Sequence, residues 1–259
     1  MKRTVFITSV ILVVACLFAS CSSCAKTVKL EPKQDGYYNE ELKVYYTMAP
    51  STYEAVGYIK EAYAKDPHGF TFHIVTDPSG KRADPSEWLY DFTNAALLYN
   101  SDKKLPSLEE MAPTCVDFFA EGNTRVNLHS TTASEEITKI LECLDNPSCS
   151  KSSIRSELYD WYGLRFTSAS HIYIAYILDY VEFTSNIYEY EKAEGYTDIA
   201  DVEARHNFRD GVEHEIIAED DGSFTVKYNY GKYFVYDEVA GRYYMAQYIH
   251  DTYKSGESK

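Results

Sequence analysis

The chain is short of cationic side chains: its 259 residues carry 25 Lys and Arg against 40 Asp and Glu, a formal net charge of −15. Such a surface repels phosphate backbones and anionic lipid head groups, so nucleic acid is excluded as a partner and a cationic or neutral ligand is favoured. Long apolar runs are scarce too. Beyond residues 5–17, no stretch approaches the roughly 20 residues that a membrane-spanning helix needs. Sharp chemical motifs are missing as well. There is no Gly-x-Ser-x-Gly elbow, no glycine-rich phosphate loop ending in Lys-Ser/Thr, no Gly-x-Gly-x-x-Gly and, after the first 25 residues, no Cys-x-x-Cys. No internal repeat and no low-complexity block is found. The length still suffices for a sizeable core, as one large domain or two small ones.

What the first residues do hold is an address. Lys2 and Arg3 precede the apolar run at 5–17, which is the layout of a signal peptide. Phe18-Ala19-Ser20-Cys21, followed by Ser22 and Ser23, resembles a bacterial lipobox and the small polar residues that open a tether. It departs from the pattern at Phe18, where Leu, Val or Ile is usual. Val13-Val14-Ala15-Cys16 is the alternative, and an ordinary secretory cut near Ala25 is a third route. The resemblance implies acyl chains such as palmitate on Cys21, or on Cys16, holding the chain at a membrane, since two or more chains anchor stably where one does not. Ser22 in place of Asp after the cysteine implies the outer membrane. Losing residues 1–20 removes two positive charges, Lys2 and Arg3, and takes the net charge from −15 to −17. Residues 21–42, polar and unpatterned, are expected to form the lipidated tether.

With Cys16, Cys21 and Cys24 assigned to leader and tether, Cys115, Cys143 and Cys149 remain. Cys143 and Cys149 flank the turn-rich Leu-Asp-Asn-Pro-Ser, and an oxidising envelope permits a bridge there of about 2–3 kcal/mol. Pairing of Cys115 with either of them stays open.

Between Gly163 and Gly195 there is no glycine or proline. That length exceeds the roughly 3–10 residues of a usual strand, so a long central helix is expected. On it His171, Asp179, Glu182 and Glu189 share a narrow polar stripe, opposite a broad arc of Tyr173, Tyr176, Ile177, Tyr180, Val181, Ile187 and Tyr188. Ile172, Tyr173, Ile174, Tyr176 and Val181 are β-favouring, which leaves a strand as the alternative for the first half. Further helices are expected at 51–65, 84–99, 111–120 after a Ser107/Glu110 capping box, 134–144, 152–162 and 197–209. Strands are expected at 42–48 and 69–75. Beyond Gly211 the period changes to 2, and 214–219, 224–230, 233–239 and 242–249 read as a four-stranded antiparallel meander. The expected fold is α+β. A single domain at 43–259 has a mostly helical body to about 210 around the long central helix, then a C-terminal β-meander over 211–253.

Candidate sites are few. Glu203 and His206 form a Glu-x-x-His pair that Glu213 and His214 could extend to a mononuclear metal site; a solvated acidic face is the plainer account. His214-Glu215 begins a zincin-like motif that fails at Ala218. His171 and Asp179 as a proton-transfer pair would stand about 12 Å apart on a helix, beyond direct reach. The compositional anomaly is 25 tyrosines. Tyr228, Tyr230, Tyr233 and Tyr236 in the meander are expected to expose rings suited to protein partners or to sugars. The function expected is therefore that of a non-enzymatic, cofactor-free envelope lipoprotein that binds an envelope protein through this sheet. Glycan binding, or a metal-dependent envelope hydrolase, is the alternative.

Overall fold

The computed structural model describes residues 28–57, 59, 61–122, 124–144, 147–150 and 159–254, with the strand at 147–150 described by its backbone alone. The expected leader, Cys16, Cys21, the first part of the expected tether and most of the helix expected at 152–162 lie outside these residues. These residues divide into two compact units, one drawn from 28–48, 59–75 and 82–103, the other from 49–57, 76–81 and 104–254. The structure is 45% strand and 13% helical, with four short α-helices and no long central helix among the described residues, so the expected α+β fold is replaced by a mostly β one.

The smaller unit is a closed barrel of seven short strands. β1 (Val28–Lys33), β2 (Gly36–Asn39) and β3 (Val44–Met48) form one antiparallel meander. β4 (Tyr53–Ala55) belongs to the other unit. β5 (Ala62–Lys65), β6 (Thr71–Ile74), β7 (Trp88–Asp91) and β8 (Ala96–Asn100) form the second meander. Antiparallel β3–β8 pairing and a short parallel β1–β5 pairing close the ring, which removes its free edges. Leu30, Tyr46, Phe72, Leu89 and Leu98 fill the interior, fully buried. Each such side chain contributes about 1.5–3 kcal/mol by leaving water. Residues 28–42, expected as tether, thus begin the barrel. Their polar look has a simple cause: in β1 only Leu30 is buried, and Glu31 and Lys33 face solvent.

The larger unit holds two sheets. The first runs β10 (Val126–Thr131), β9 (Cys115–Ala120), β12 (Tyr159–Thr167), β13 (Ile174–Phe183), β17 (Tyr233–Asp237), β18 (Arg242–Met245), β11 (Pro147–Ser150), with β4 also on β13. The second runs β14 (Tyr188–Ala193), β16 (Phe224–Asn229), β15 (Glu213–Ala218). On the apolar face of the first, Phe118 meets Tyr180 edge-on at 5.4 Å and Tyr253 at 6.0 Å. The Tyr253 hydroxyl donates to Glu136 at 2.8 Å, tying in the helix Ser134–Glu142, which buries Ile137 and Ile140. On the opposite face the Phe119 ring lies against Gly163. A Cβ there would stand 2.1 Å from the Phe119 Cζ, so only glycine fits.

The expected central helix is the β12–β13 hairpin's second half followed by β14. Two features disguise it. The turn at 168–173 uses serine hydroxyls where glycine or proline would announce a reversal: Ser168 Oγ accepts from the Ser170 amide at 3.1 Å, and Ser170 Oγ donates to the Met111 carbonyl at 3.2 Å. β13 is also buried on both faces over most of its length, and a continuous apolar run has no period to tell strand from helix. The helix expected at 51–65 is β4 and β5, and that at 84–99 is β7 and β8. The Asp84-Pro85-Ser86-Glu87 signal makes a turn instead, with Asp84 accepting from the Ser86 amide at 2.8 Å. The Ser107/Glu110 capping box forms with both reciprocal bonds, but its helix, Leu108–Met111, stops at Ala112 in a left-handed conformation and β9 follows. Helices at Ser134–Glu142 and Ile199–Arg205 stand near where they were expected. All four C-terminal strands form, yet not as one meander: β15 and β16 join the small sheet, β17 and β18 the large one.

Candidate functional site

β16 alternates strictly. Phe224, Val226 and Tyr228 point inward and Thr225, Lys227 and Asn229 outward. The register sets Glu189 and His214 on either side of Tyr228, and Glu191 and Ile216 beside Val226. The helix Ile199–Arg205, capped by Asp198 accepting from the Asp201 amide at 2.8 Å, buries Val202 in the same core cluster. The segment after it supplies His206, Phe208 and Arg209.

Arg209 grips Glu189 in a two-pronged pair at 2.5 and 2.9 Å, approaches Glu191 at 3.5 Å, and stacks its guanidinium 4.4 Å over the Tyr228 ring. The Glu189 hydrogen bond holds the Arg209 pKa above its ordinary value. The Tyr230 hydroxyl donates to Glu189 at 3.1 Å and also meets Arg209. His206 shares hydrogen bonds with the Tyr228 hydroxyl at 3.3 Å and the Tyr196 hydroxyl at 3.4 Å. Burial, then the Glu191 carboxylate, pushes the Tyr228 hydroxyl pKa up. Every polar group named here has a partner within the cluster, so its work is to bind the sheet to its covering segment.

This arrangement relocates the expected aromatic surface. Tyr228 and Tyr230 are 0% and 1% exposed and belong to the core. Tyr233 is half-buried with its ring stacked on His250 at 3.6 Å, and Tyr236 packs beside Tyr243 at 4.8 Å. The physical reason is that the buried Tyr228 and Tyr230 hydroxyls find a carboxylate, guanidinium or imidazole, so each serves as a phenylalanine with a satisfied polar tip.

The metal candidates diverge. Glu203 is exposed on its helix, whereas His206 is enclosed. His214 stacks on Phe208 at 3.9 Å, and Glu213 lies on the outer face, accepting from Asn229 Nδ2 at 2.7 Å. Among the described residues no group of three or more His, Cys, Asp or Glu is placed to hold a metal ion. His171 sits in the β12–β13 turn against Ser170, away from Asp179 in mid-strand. Cys115 and Cys143 are free thiols, and the Cys149 side chain lies outside the described residues. Among the described residues no helix is long and apolar enough to cross a membrane.

What the small sheet offers to solvent is its outer face. Tyr188 and Tyr190 on edge strand β14 are 44% and 61% exposed, one strand period apart and on the same side. Lys227 of β16 lies 4.6 Å over the Tyr188 ring and pairs with Glu215 of β15 at 3.3 Å. The alternating Tyr-Glu-Tyr-Glu-Lys of 188–192 carries this signal at the strand period of 2, which a helical period scatters around its axis.

Two clefts of the larger unit are lined by described residues alone. One of about 690 Å³ is lined by Leu105, Leu108, Leu141, Leu144 and Tyr244, with Asp237 accepting from the Tyr176 hydroxyl at 3.1 Å. That carboxylate also accepts the Val239 and Ala240 amides, so it holds a turn. The other, about 480 Å³, is lined by Asn186, Glu213, Asn229, Tyr230, Lys232, Tyr233 and Gln247, with Met245 among them. Elsewhere on the large sheet Glu54 bridges Arg125 and Arg165, and Arg165 reaches Asp117 at 3.6 Å. Nearby Asp179 has its pKa pushed up to about 6 by burial and by the Glu121 and Glu238 carboxylates, with Arg125 opposing.

No known protein family, curated protein or solved structure matches the chain.

Proposed function

We propose that the chain is a membrane-tethered lipoprotein of the bacterial envelope, lipidated at Cys21 and facing the outer membrane, that works as a binding module without catalysis. Its partner is an extended, basic segment of another envelope protein, which adds alongside β14. The observation that carries this reading is the exposed Tyr188/Tyr190 pair on an edge strand. An edge presents unpaired backbone donors and acceptors to an incoming strand, and alternate side chains give the contact its specificity. Exposed tyrosines add rigid contact area with a polar handle. The net charge of −15 favours a cationic segment and speeds its approach at low salt. The lipobox-like Phe18-Ala19-Ser20-Cys21 supports the tether.

The test uses the full chain in cells, with a photo-cross-linker in place of Lys192. An adduct with one envelope protein is expected, lost in Tyr188→Ala/Tyr190→Ala and weakened as salt rises. An adduct that survives the double substitution would remove the outer face of the small sheet from the account. Mass spectrometry of the mature N-terminus tests the tether: a diacylated or triacylated Cys21 is expected, and an unmodified N-terminus near Ala25 would contradict it.

A further inference from the structure

The cleft of about 480 Å³ has a composition that the partner-binding face does not explain. It is built where loops meet. The Ile187 amide donates to the Gly231 carbonyl at 2.6 Å, the Tyr230 amide to the Ile187 carbonyl at 3.0 Å, and the Phe183 amide to the Lys232 carbonyl at 2.8 Å. The Ala246 amide closes the fourth side on the Tyr233 carbonyl at 2.9 Å. Gly231 adopts φ +71°, a left-handed conformation that favours glycine. The Asn229 side chain fixes this turn by accepting from the Gly231 amide at 3.0 Å. A cleft held by its own backbone in this way is ordered before any ligand arrives, which lowers the entropic cost of binding.

Its polar groups are left partly unused. Gln247 donates through Nε2 to Asp251 at 2.8 Å, and its Oε1 lies on the Gly231 side, 3.8 Å from where a Cβ on that residue would stand. Glu213 accepts one bond, from Asn229. Lys232 Nζ lies 5.3 Å over the Tyr233 ring and makes no ion pair among the described residues. Asn186 makes no side-chain hydrogen bond with a described residue. One ammonium, one carboxylate and two amides present donors and acceptors in near balance, with no net charge. An anion or a cation would leave the opposite charge in the cleft unanswered. Hydroxyl groups, each both donor and acceptor, match it. The volume, about 480 Å³, falls in the roughly 300–1,000 Å³ range of small-ligand sites.

We propose that this cleft binds a neutral carbohydrate of one or two sugar units, with Asn186, Lys232 and Gln247 hydrogen-bonding its hydroxyls. The site adjoins the Tyr188/Tyr190 face, since Asn229 stands opposite Tyr188 and Glu213 in the sheet, but neither of those two rings lines it. The test is binding of the full chain to an array of immobilised neutral and anionic oligosaccharides, with two cleft variants, Asn186→Ala/Gln247→Ala and Lys232→Ala. Neutral glycans are expected to bind, with affinity at least tenfold weaker in the double variant and several-fold weaker in Lys232→Ala, and unchanged in Tyr188→Ala/Tyr190→Ala. Having two variants keeps the result readable if one of them fails to fold. No neutral glycan bound at millimolar concentration, binding of anionic glycans alone, or wild-type affinity in a folded cleft variant would overturn the proposal.

Discussion

Two pairs of tyrosines on neighbouring strands of one small sheet meet opposite fates. Tyr228 and Tyr230 point into the core and are at most 1% exposed, while Tyr188 and Tyr190 stand on the outer face at 44% and 61%. The side-chain chemistry is the same, and what differs is the company each pair keeps. The inner pair meets Arg209, Glu189 and His206, which satisfy its hydroxyls and allow burial. Across the sheet the outer pair meets Lys227, whose ammonium lies 4.6 Å over the Tyr188 ring. The lesson is that tyrosine count says little about a binding surface, whereas the polar partners within reach of each hydroxyl decide which rings go inside.

The sharpest way to break this comparison is to truncate one ring from each pair. Tyr228→Ala should cost about 3–5 kcal/mol, because it opens a ring-sized cavity and strips the Arg209 guanidinium of the surface it lies on. Chemical denaturation, followed by a probe within the larger unit, reads this. A cost under about 1 kcal/mol would mean that Tyr228 is not core. Next in size, Gly163→Ala should cost about 1–3 kcal/mol, since its Cβ collides with the Phe119 ring and that ring must swing off the sheet. A companion Gly163→Ala/Phe119→Leu chain should recover part of the loss if the ring is the obstacle.

Arg209→Met tests the glue between sheet and covering segment. Both partners of the Arg209–Glu189 pair are about a third exposed, so solvent screening reduces the loss to about 1–2 kcal/mol. The loss should shrink further when Glu189→Gln is present, as a double-mutant cycle requires of a direct pair. Asp179 gives a smaller effect with a definite sign. Its folded pKa, about 6, lies above the ordinary 3.8, so the folded state holds a proton that the unfolded state releases in that interval. The stabilising contribution is complete below pH 3.8 and lost as pH rises through 6. Asp179→Asn should therefore be slightly stabilising at pH 7, by under about 1 kcal/mol after screening, with no gain at pH 4. Equal gains at both pH values would contradict the assignment. Smallest of all, Tyr188→Ala/Tyr190→Ala should change stability by no more than about 0.5 kcal/mol while abolishing the cross-link from position 192.

Legibility in the sequence followed the strength of local signals. The capping box at Ser107/Glu110, the short helix with Ile137 and Ile140 inside, and the C-terminal strands separated by Asp-Gly and Asn-Tyr-Gly turns were readable because each is a local event. Barrel closure was not readable, since β1–β5 pairing joins residues more than 30 positions apart through two residue pairs. The β12–β13 hairpin was hidden by its serine turn and by burial on both faces of β13. Of the candidate site, the tyrosine excess was visible but not which rings face out. That depends on Arg209 and His206 arriving from a segment whose place over the sheet no periodicity announces.

The most direct measurement is hydroxyl-radical footprinting of the tyrosines, read by mass spectrometry on the full chain, once purified and once in the intact envelope. The account predicts that Tyr188 and Tyr190 are labelled strongly in the purified protein and several-fold less in the envelope, with Tyr228 and Tyr230 protected in both. Equal labelling of Tyr188 and Tyr190 in the two settings would contradict the partner face, and strong labelling of Tyr228 would contradict the buried one.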